Sequence, residues 1–286
     1  MKPPRFAYAR AESVEQALSL LSDRADARLL AGGQSLVPLL NLRMAEAPAV
    51  VDVSGLAELS FIARENGTLR VGALTRHRQL EVSGPVLSAL PLLSRAAAEI
   101  GHLAIRNRGT IGGSLAHADP AAEWPLMAVT LDAHIVLRSK RSSRTVAARN
   151  FFVGPLTTVI QPGEMLCEIR FPIHAGPTLW GFQELSRRPG DFAVAAVACE
   201  IVRGGDGLCA GAALGVAGAH STPLIVPEAE KVLAGSRGEE ASLKEAAEKA
   251  AAAVEPPSDL HGSADYRRRV VKVLALRALK EAWSKA

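Results

Sequence analysis

Two short segments of this 286-residue sequence share a pattern: an apolar run or hydroxyl residue, a glycine pair, then small polar side chains. They are LLAGGQSL, residues 29–36, and RNRGTIGGSLAHADPAAEWP, residues 106–125. Glycine has no Cβ and tolerates positive φ, so a ligand can approach such a backbone closely. Consecutive N–H groups that lead from a strand into a helix also form an anion site. The pattern predicts two loops that bind one large phosphate-bearing ligand, with Ser35, Thr110 and Ser114 as additional donors.

The segments match no common nucleotide motif. No G-x-G-x-x-G run follows a strand and no Walker lysine is present, which argues against a Rossmann or P-loop site. A glycine pair alone is most often a tight turn, and the residues leave that interpretation open. His117, Asp119 and Glu123 lack the spacing of a metal site. We predict instead that Asp119 caps a helix opening at Pro120 and that Glu123, one turn inside it, can accept a ligand hydroxyl.

Composition excludes several classes of function. The net charge is only +4, and no basic stripe with interleaved aromatic residues indicates nucleic-acid binding. No apolar run approaches the roughly 20 residues of a membrane span. The N-terminal sequence MKPPRFAYARAES lacks the apolar core of a signal peptide, so we expect a cytoplasmic protein. Its three cysteines lie in strand-like sequence and are predicted to be buried thiols, with no metal or cluster site in this chain.

Periodicity divides the chain into two parts. The first, about residues 1–174, mixes helices with strands and includes a capped helix from Ser13 and an Asn-Gly hairpin over 61–73. A single helix is predicted over 86–100, and a strand over MLCEIRFP, residues 165–172. After a linker at 173–177, the second part, about 178–286, is predicted to hold a long antiparallel hairpin followed by three Ala-rich helices, at 227–234, 239–254 and 264–285.

Four segments resemble a known family in sequence and in order: LLAGGQSLVPLLNLRM, IRNRGTIGGSLAHADPAAEWP, SRRPGDFAVAA and GSADYRR. They are similar to the FAD-binding medium subunit of molybdenum hydroxylases of the carbon monoxide dehydrogenase and xanthine dehydrogenase type. The resemblance implies an α+β chain with the FAD-binding fold of the vanillyl-alcohol oxidase class. Its two α/β subdomains would cover about 1–56 and 57–174, and a C-terminal antiparallel sheet with helices would cover 178–286.

The same resemblance implies roles for particular residues. The first loop would wrap the FAD pyrophosphate through Leu30, Ala31, Gly32, Gly33, Gln34, Ser35 and Leu36. The second would cross the pyrophosphate and ribityl chain through Thr110, Ile111, Gly112, Gly113 and Ser114. Ile100 and Leu166 would contact the flavin, Glu123 would be an acidic FAD contact, and the segment with Gln183 and Asp191 would lie near the isoalloxazine edge. Gln183 and Glu184 stand where relatives often carry a lysine.

In such enzymes the medium subunit holds FAD non-covalently. It would receive electrons from 2Fe–2S clusters of a small subunit, while a large subunit carries the molybdopterin cofactor, and pass them to an external acceptor. The implied assembly is a dimer of heterotrimers, and no residue of this chain would be catalytic toward the organic substrate. Two alternatives stay open: a stand-alone FAD-dependent oxidase or dehydrogenase, and a non-catalytic assembly protein that has lost FAD.

Overall fold

The computed structural model describes residues 1–24 and 26–286. Its helices and strands are numbered here in chain order. The strands are β1 Ala7–Arg10, β2 Arg28–Leu30, β3 Ala49–Asp52, β4 Ile62–Glu65, β5 Thr68–Gly72, β6 His134–Arg138, β7 Ser143–Ala147, β8 Phe152–Gly154, β9 Thr157–Thr158, β10 Met165–Pro172, β11 Thr178–Ser186, β12 Ala193–Arg203, β13 Cys209–Ala217 and β14 Leu224–Ile225. The α-helices are α1 Val14–Asp23, α2 Leu36–Asn41, α3 His77–Val82, α4 Gly84–Ala89, α5 Pro91–Glu99, α6 Leu103–Arg106, α7 Ile111–His117, α8 Glu123–Thr130, α9 Pro227–Leu233, α10 Glu240–Ala253 and α11 Ala264–Trp283.

A small parallel sheet begins the chain, in the order β1-β3-β2. Helix α1, the capped helix predicted from Ser13, packs beside it through Val14, Ala17, Leu18 and Leu21, all buried. The Ser13 side chain caps this helix by accepting the amide of Gln16 at 3.1 Å. Because β2 ends at Leu30 and α2 starts at Leu36, the first glycine pair lies between a strand and a helix, as predicted.

A five-stranded antiparallel sheet follows, in the order β4-β5-β10-β6-β7. The predicted Asn-Gly hairpin is confirmed, since Asn66 and Gly67 both have positive φ, at 47° and 73°. Two positive-φ residues in succession give the turn whose twist matches paired strands. The strand predicted at residues 165–172 is β10, and it occupies the centre of this sheet. Strand β10 thus pairs with β5, which lies much earlier in the sequence.

The C-terminal sheet is antiparallel, in the order β11-β12-β13-β14. Both faces of β12 are covered. On one face, Ala196 and Ala198 belong to the core shared with α8. On the other, Val197, Cys199 and Ile201 belong to the core beneath α9, α10 and α11. Side chains alternate across a strand, so small and larger residues point to opposite faces. The predicted hairpin and the three C-terminal helices are confirmed, and all three cysteines are buried free thiols.

Helix α8 joins the two halves of the molecule. Every residue from Glu123 to Thr130 is buried. The same hydrophobic cluster holds Trp124 and Leu126 of this helix together with Phe182 of β11. A helix buried on all sides has apolar residues on every face, so the sequence EWPLMAVT shows no clear separation into a polar and an apolar face.

Two predicted helix boundaries were wrong. The helix expected over 86–100 is two helices, because Pro91 lacks an amide donor and forces Leu90 out of the helical region, to φ −144° and ψ 70°. The helix expected to open at Pro120 begins at Glu123. Asp119 is not its cap, because its Oδ1 accepts the amide of Ala121 at 2.9 Å and closes a local turn before the helix starts.

Strand β11 was not predicted at all. Its sequence, TLWGFQELS, mixes glycine and glutamate into an apolar run and shows no clean alternation. Its place in the sheet comes from pairing with β12 along nearly its whole length and from packing against α11.

Candidate functional site

The first glycine loop, residues 31–35, presents backbone donors. Gly33 has φ +72°, which turns the chain from β2 toward α2. Within the described chain, the amides of Gly32, Gly33, Gln34 and Ser35 donate to no protein acceptor. The Gln34 side chain donates to the carbonyl of Gly32 at 3.0 Å and braces the loop from within. Four neighbouring amides without a partner make this loop suited to an anionic ligand.

The second glycine pair, Gly112 and Gly113, does not lie in the expected loop between a strand and a helix. The chain before it is helix α6 rather than a strand, and the pair lies in the first turn of α7. The amide of Gly112 donates to Ala73 O at 2.9 Å, and that of Gly113 to Thr110 Oγ1 at 3.1 Å. The amides of Ile111 and Ser114 are also bonded to protein carbonyls. Residues 111–114 therefore offer side chains and the positive end of a short helix, and no unpaired backbone donors.

The two segments meet. A Cβ placed on Gly32 would lie 2.7 Å from Gly109 Cα and closer still to the carbonyl oxygen of Arg108. A Cβ on Gly113 would reach the side chain of Ala31 at 3.9 Å. Gly32 is thus required because two backbones touch there, while its neighbour Gly33 is required by its positive φ.

Beside this contact lies a cleft of about 940 Å³, within the range of cofactor sites. Its walls come from both halves of the chain. The predicted site residues that line it are Ala31, Gly32, Gly33, Gln34, Ser35, Leu36, Ile100, Thr110, Gly112, Gly113, Ser114, Glu123, Leu166 and Asp191. One cavity thus collects residues that lie up to 160 positions apart in the sequence.

Three predicted residues lie elsewhere. Leu30 lines a smaller neighbouring cavity of about 230 Å³, shared with Asp52 and Arg108. Ile111 is fully buried in the core. Gln183 donates to Glu281 Oε2 of α11 at 2.9 Å, so its amide is engaged within the C-terminal part.

The cleft also has walls that the sequence did not indicate. Residues 156–165, which include the short strand β9, line one side, and His77 lines another. No motif marks residues 156–165, because they reach the cleft only through the return of the chain to β10. The rim includes Phe192, whose side chain is 65% exposed beside Asp191.

A group of carboxylates adjoins the cleft. Glu123 at the start of α8 is only 8% exposed. Burial, with smaller contributions from Asp119 and Glu99, raises the pKa of its carboxyl to about 7. Burial, followed by the charges of Glu123 and Glu99, raises the pKa of Glu184 to about 8. Oε2 of Glu184 is buried with no hydrogen-bond partner in the described chain, and the one nearby cation, Arg95, is paired with Glu99.

These raised pKa values predict a pH dependence of stability. The folded ligand-free chain holds protons on Glu123 and Glu184 at a pH where the unfolded chain has released them. The contribution of these two groups to stability should therefore be greatest below the ordinary value of 4.5, fall as pH rises toward about 8, and then level off. Urea unfolding at pH 5 and pH 8 measures the difference. Glu184→Gln should flatten it, whereas Glu245→Gln, an exposed position on α10, should not. Equal pH dependence in all three proteins would contradict the assignment.

Comparison with known proteins identifies the class. Residues 4–174 match the model of the FAD binding domain in molybdopterin dehydrogenase, and residues 180–282 match the CO dehydrogenase flavoprotein C-terminal domain. The chain therefore belongs to the family of FAD-binding flavoprotein chains of molybdopterin dehydrogenases. It is a component of an oxidoreductase, and its cofactor is FAD.

Similar proteins cover the whole chain. The 6-hydroxypseudooxynicotine dehydrogenase complex subunit alpha of Paenarthrobacter nicotinovorans is 42% identical over 100% of this chain and 97% of that protein. The glyceraldehyde dehydrogenase medium chain of Sulfolobus acidocaldarius is 39% identical over 98% and 99%. The solved structure of a carbon monoxide dehydrogenase from Hydrogenophaga pseudoflava contains a chain that is 38% identical, with a TM-score of 0.97 over 100% of both chains. The predicted family and fold class are confirmed.

None of the helices in the described part of the chain combines the length and apolar character that a membrane crossing needs.

Proposed function

We propose that this chain is the electron-transfer flavoprotein subunit of a molybdenum hydroxylase, and that FAD lies in the 940 Å³ cleft. The observation that carries this placement is the row of unpartnered amides from Gly32 to Ser35 at one wall of that cleft. Unpartnered backbone N–H groups in a cavity wall suit the oxygens of a pyrophosphate. The donor set of the structure thus fits the cofactor that the family requires.

In this placement each wall of the cleft has a distinct task. Gly32, Gly33, Gln34 and Ser35 would hold the pyrophosphate through their amides. The hydroxyls of Thr110 and Ser114 would add donors from the facing helix, and Ile100 and Leu166 would provide apolar contacts to the ring system. When bound, FAD supplies a centre that takes up and releases electrons. The protein then excludes water and fixes the position of that centre.

Glu123 has a separate task. Its carboxyl is nine-tenths buried, lines the cleft and forms no hydrogen bond with another side chain of the described chain. A buried carboxyl in this state is suited to accept a hydrogen bond from a hydroxyl of the ligand. We infer that it holds the ribityl chain.

The names of the relatives, as subunits and medium chains of complexes, support a proposal about partners. We propose that a small subunit with 2Fe–2S clusters delivers electrons to FAD here, that a large subunit carries the molybdopterin cofactor, and that two such trimers associate. An external acceptor would then take the electrons. The domain division at 174 and 178 is part of the same proposal, and the packing of α9–α11 on one face of the β11–β14 sheet supports it. We also place the chain in the cytoplasm, where buried free thiols are stable.

The decisive experiment compares the full FAD-loaded chain alone with the complex that co-purifies with it. Aldehydes, N-heterocycles and carbon monoxide, the compounds in the names of the relatives, serve as electron donors, and flavin absorbance is followed by stopped flow. The complex should contain molybdenum and iron and should show flavin reduction, whereas the isolated chain should show none. Rapid reduction of the isolated chain would identify a stand-alone oxidase or dehydrogenase and overturn the proposal.

A further inference from the structure

A buried histidine in the cleft wall carries an inference beyond these roles. His77 begins α3 and is 5% exposed. Its Nδ1 accepts the indole N–H of Trp124 at 2.9 Å, in a contact that is wholly buried. An indole nitrogen can only donate, so Nδ1 is the nitrogen without a proton. The proton of the neutral ring is therefore on Nε2, and Trp124 fixes this tautomer.

The protonated edge of the ring has no partner in the protein. Nε2 packs against Gly109, where an added Cβ would also meet Cδ2 of the imidazole at 2.7 Å. Both residues line the cleft. Within the described chain, Nε2 donates to no acceptor. A donor in the cleft wall that has no protein acceptor is suited to a ligand that supplies one.

The ring is also held neutral. Burial, with the charges of Arg76 and Arg106, lowers the pKa of His77 to about 3. Both arginines are engaged by the protein: Arg106 pairs with Glu81 at 2.9 Å, and Arg76 donates to the carbonyl of Arg108. The charges of Arg76, just before α3, and of Arg106 on α6 thus disfavour an imidazolium. The ring therefore offers one uncharged donor, Nε2–H, and the hydrogen bond from Trp124 to Nδ1 fixes its direction.

We propose that His77 is a binding residue for FAD, donating its Nε2–H to an oxygen of the bound cofactor, with Trp124 as the positioning residue that sets its tautomer. This inference rests on the proposed placement of FAD in the cleft. The acceptor is a carbonyl, hydroxyl or phosphate oxygen, since each accepts a neutral N–H. Gly109 must be glycine for the ring to reach this position.

The first test is FAD affinity, measured by quenching of flavin fluorescence on the full ligand-free chain. His77→Phe keeps the volume of the ring and removes the donor, and we expect it to weaken binding about tenfold, equivalent to about 1.4 kcal/mol. His77→Gln can accept from Trp124 through its oxygen and donate through its nitrogen, so it should stay within about threefold of wild type. Equal affinity of wild type and His77→Phe would overturn the proposal.

The second test needs no variant and no turnover. Nitrogen-15 NMR of the imidazoles should show His77 as the neutral Nε2–H tautomer from pH 5 to pH 8, and addition of FAD should shift the Nε2 signal. A Nδ1–H tautomer, titration in this range, or an Nε2 signal unmoved by FAD would each overturn the proposal. This experiment decides the question even where His77→Phe does not fold.

A third variant distinguishes an error in the role of His77 from an error in the placement of FAD in the cleft. Ser114→Trp blocks the cleft without touching His77. Loss of FAD from that variant, together with unchanged affinity in His77→Phe, would reject only the role of His77. Retention of FAD by Ser114→Trp would reject the placement itself.

Discussion

Ser114→Trp is expected to leave the purified chain without flavin. Ser114 lies on α7 between Gly113 and the buried Leu115, and its partly exposed side chain lines the cleft. Its hydroxyl forms no hydrogen bond within the described chain, whereas its backbone amide donates to Thr110 O at 3.0 Å and would do so in any variant. An indole at this position would fill space beside the first glycine loop while leaving the cap of α7 unchanged.

The measurement is the ratio of FAD to protein after gel filtration, followed by a fluorescence titration. We expect the affinity for FAD to fall at least about 100-fold, because an indole and the cofactor cannot share one cleft, which corresponds to about 2.7 kcal/mol or more. Ser114→Ala is the matched control: it removes one donor and no space, and it should retain flavin with a loss of about tenfold at most. Thermal unfolding of both ligand-free variants checks the fold. Full flavin content in Ser114→Trp would mean that FAD binds elsewhere.

The second large effect is expected from Arg267→Met. This arginine of α11 is 4% exposed, and its guanidinium joins three separate segments. Nη1 donates to Val194 O at 2.6 Å and to Gly218 O at 2.9 Å, and Nη2 contacts both carboxylate oxygens of Asp259 at 2.7 Å. Removal of the guanidinium leaves two buried carbonyls without a donor. We expect the free energy of unfolding to fall by about 3 kcal/mol.

The neighbouring residue supplies the control. Arg268 pairs with Asp265 at 3.0 Å on the exposed side of the same helix, with 42% of its own side chain and 82% of its partner's exposed. Exposed pairs of this kind contribute little, so Arg268→Met should change stability by less than about 1 kcal/mol. Urea unfolding of the two variants measures the difference. Similar losses in both would show that Arg267 does not hold these segments together.

The family and the local elements could be predicted because they depend on short-range patterns. The capped helix at Ser13, the Asn-Gly hairpin and the Ala-rich C-terminal helices all follow from residues within a few positions of one another. The missed boundaries have local causes of a different kind. Pro91 interrupts the helix that the apolar periodicity favours over 86–100. The turn closed by Asp119 delays the start of the next predicted helix to Glu123.

From the sequence, the residues of the site could be predicted, but not their positions relative to one another or their hydrogen bonds. Both glycine segments were found from sequence, but the first offers unpartnered amides and the second does not. That difference depends on Thr110, which engages the amides of Gly113 and Ser114, and on Ala73, whose carbonyl engages Gly112 from 39 positions away. From the sequence His77 is a candidate only for a covalent flavin link, because its contacts with Trp124 and Gly109 exist only in the fold.

By itself, then, the sequence determined the class of protein, the first glycine loop and the elements that surround it, because backbone conformation and capping are decided by near neighbours. Only the tertiary structure decided which backbone amides are unpaired, which carboxyl pKa values are raised and which histidine nitrogen accepts the indole N–H of Trp124. Those properties depend on burial and on hydrogen bonds between distant segments, and burial exists only once the two halves of the chain have packed around α8.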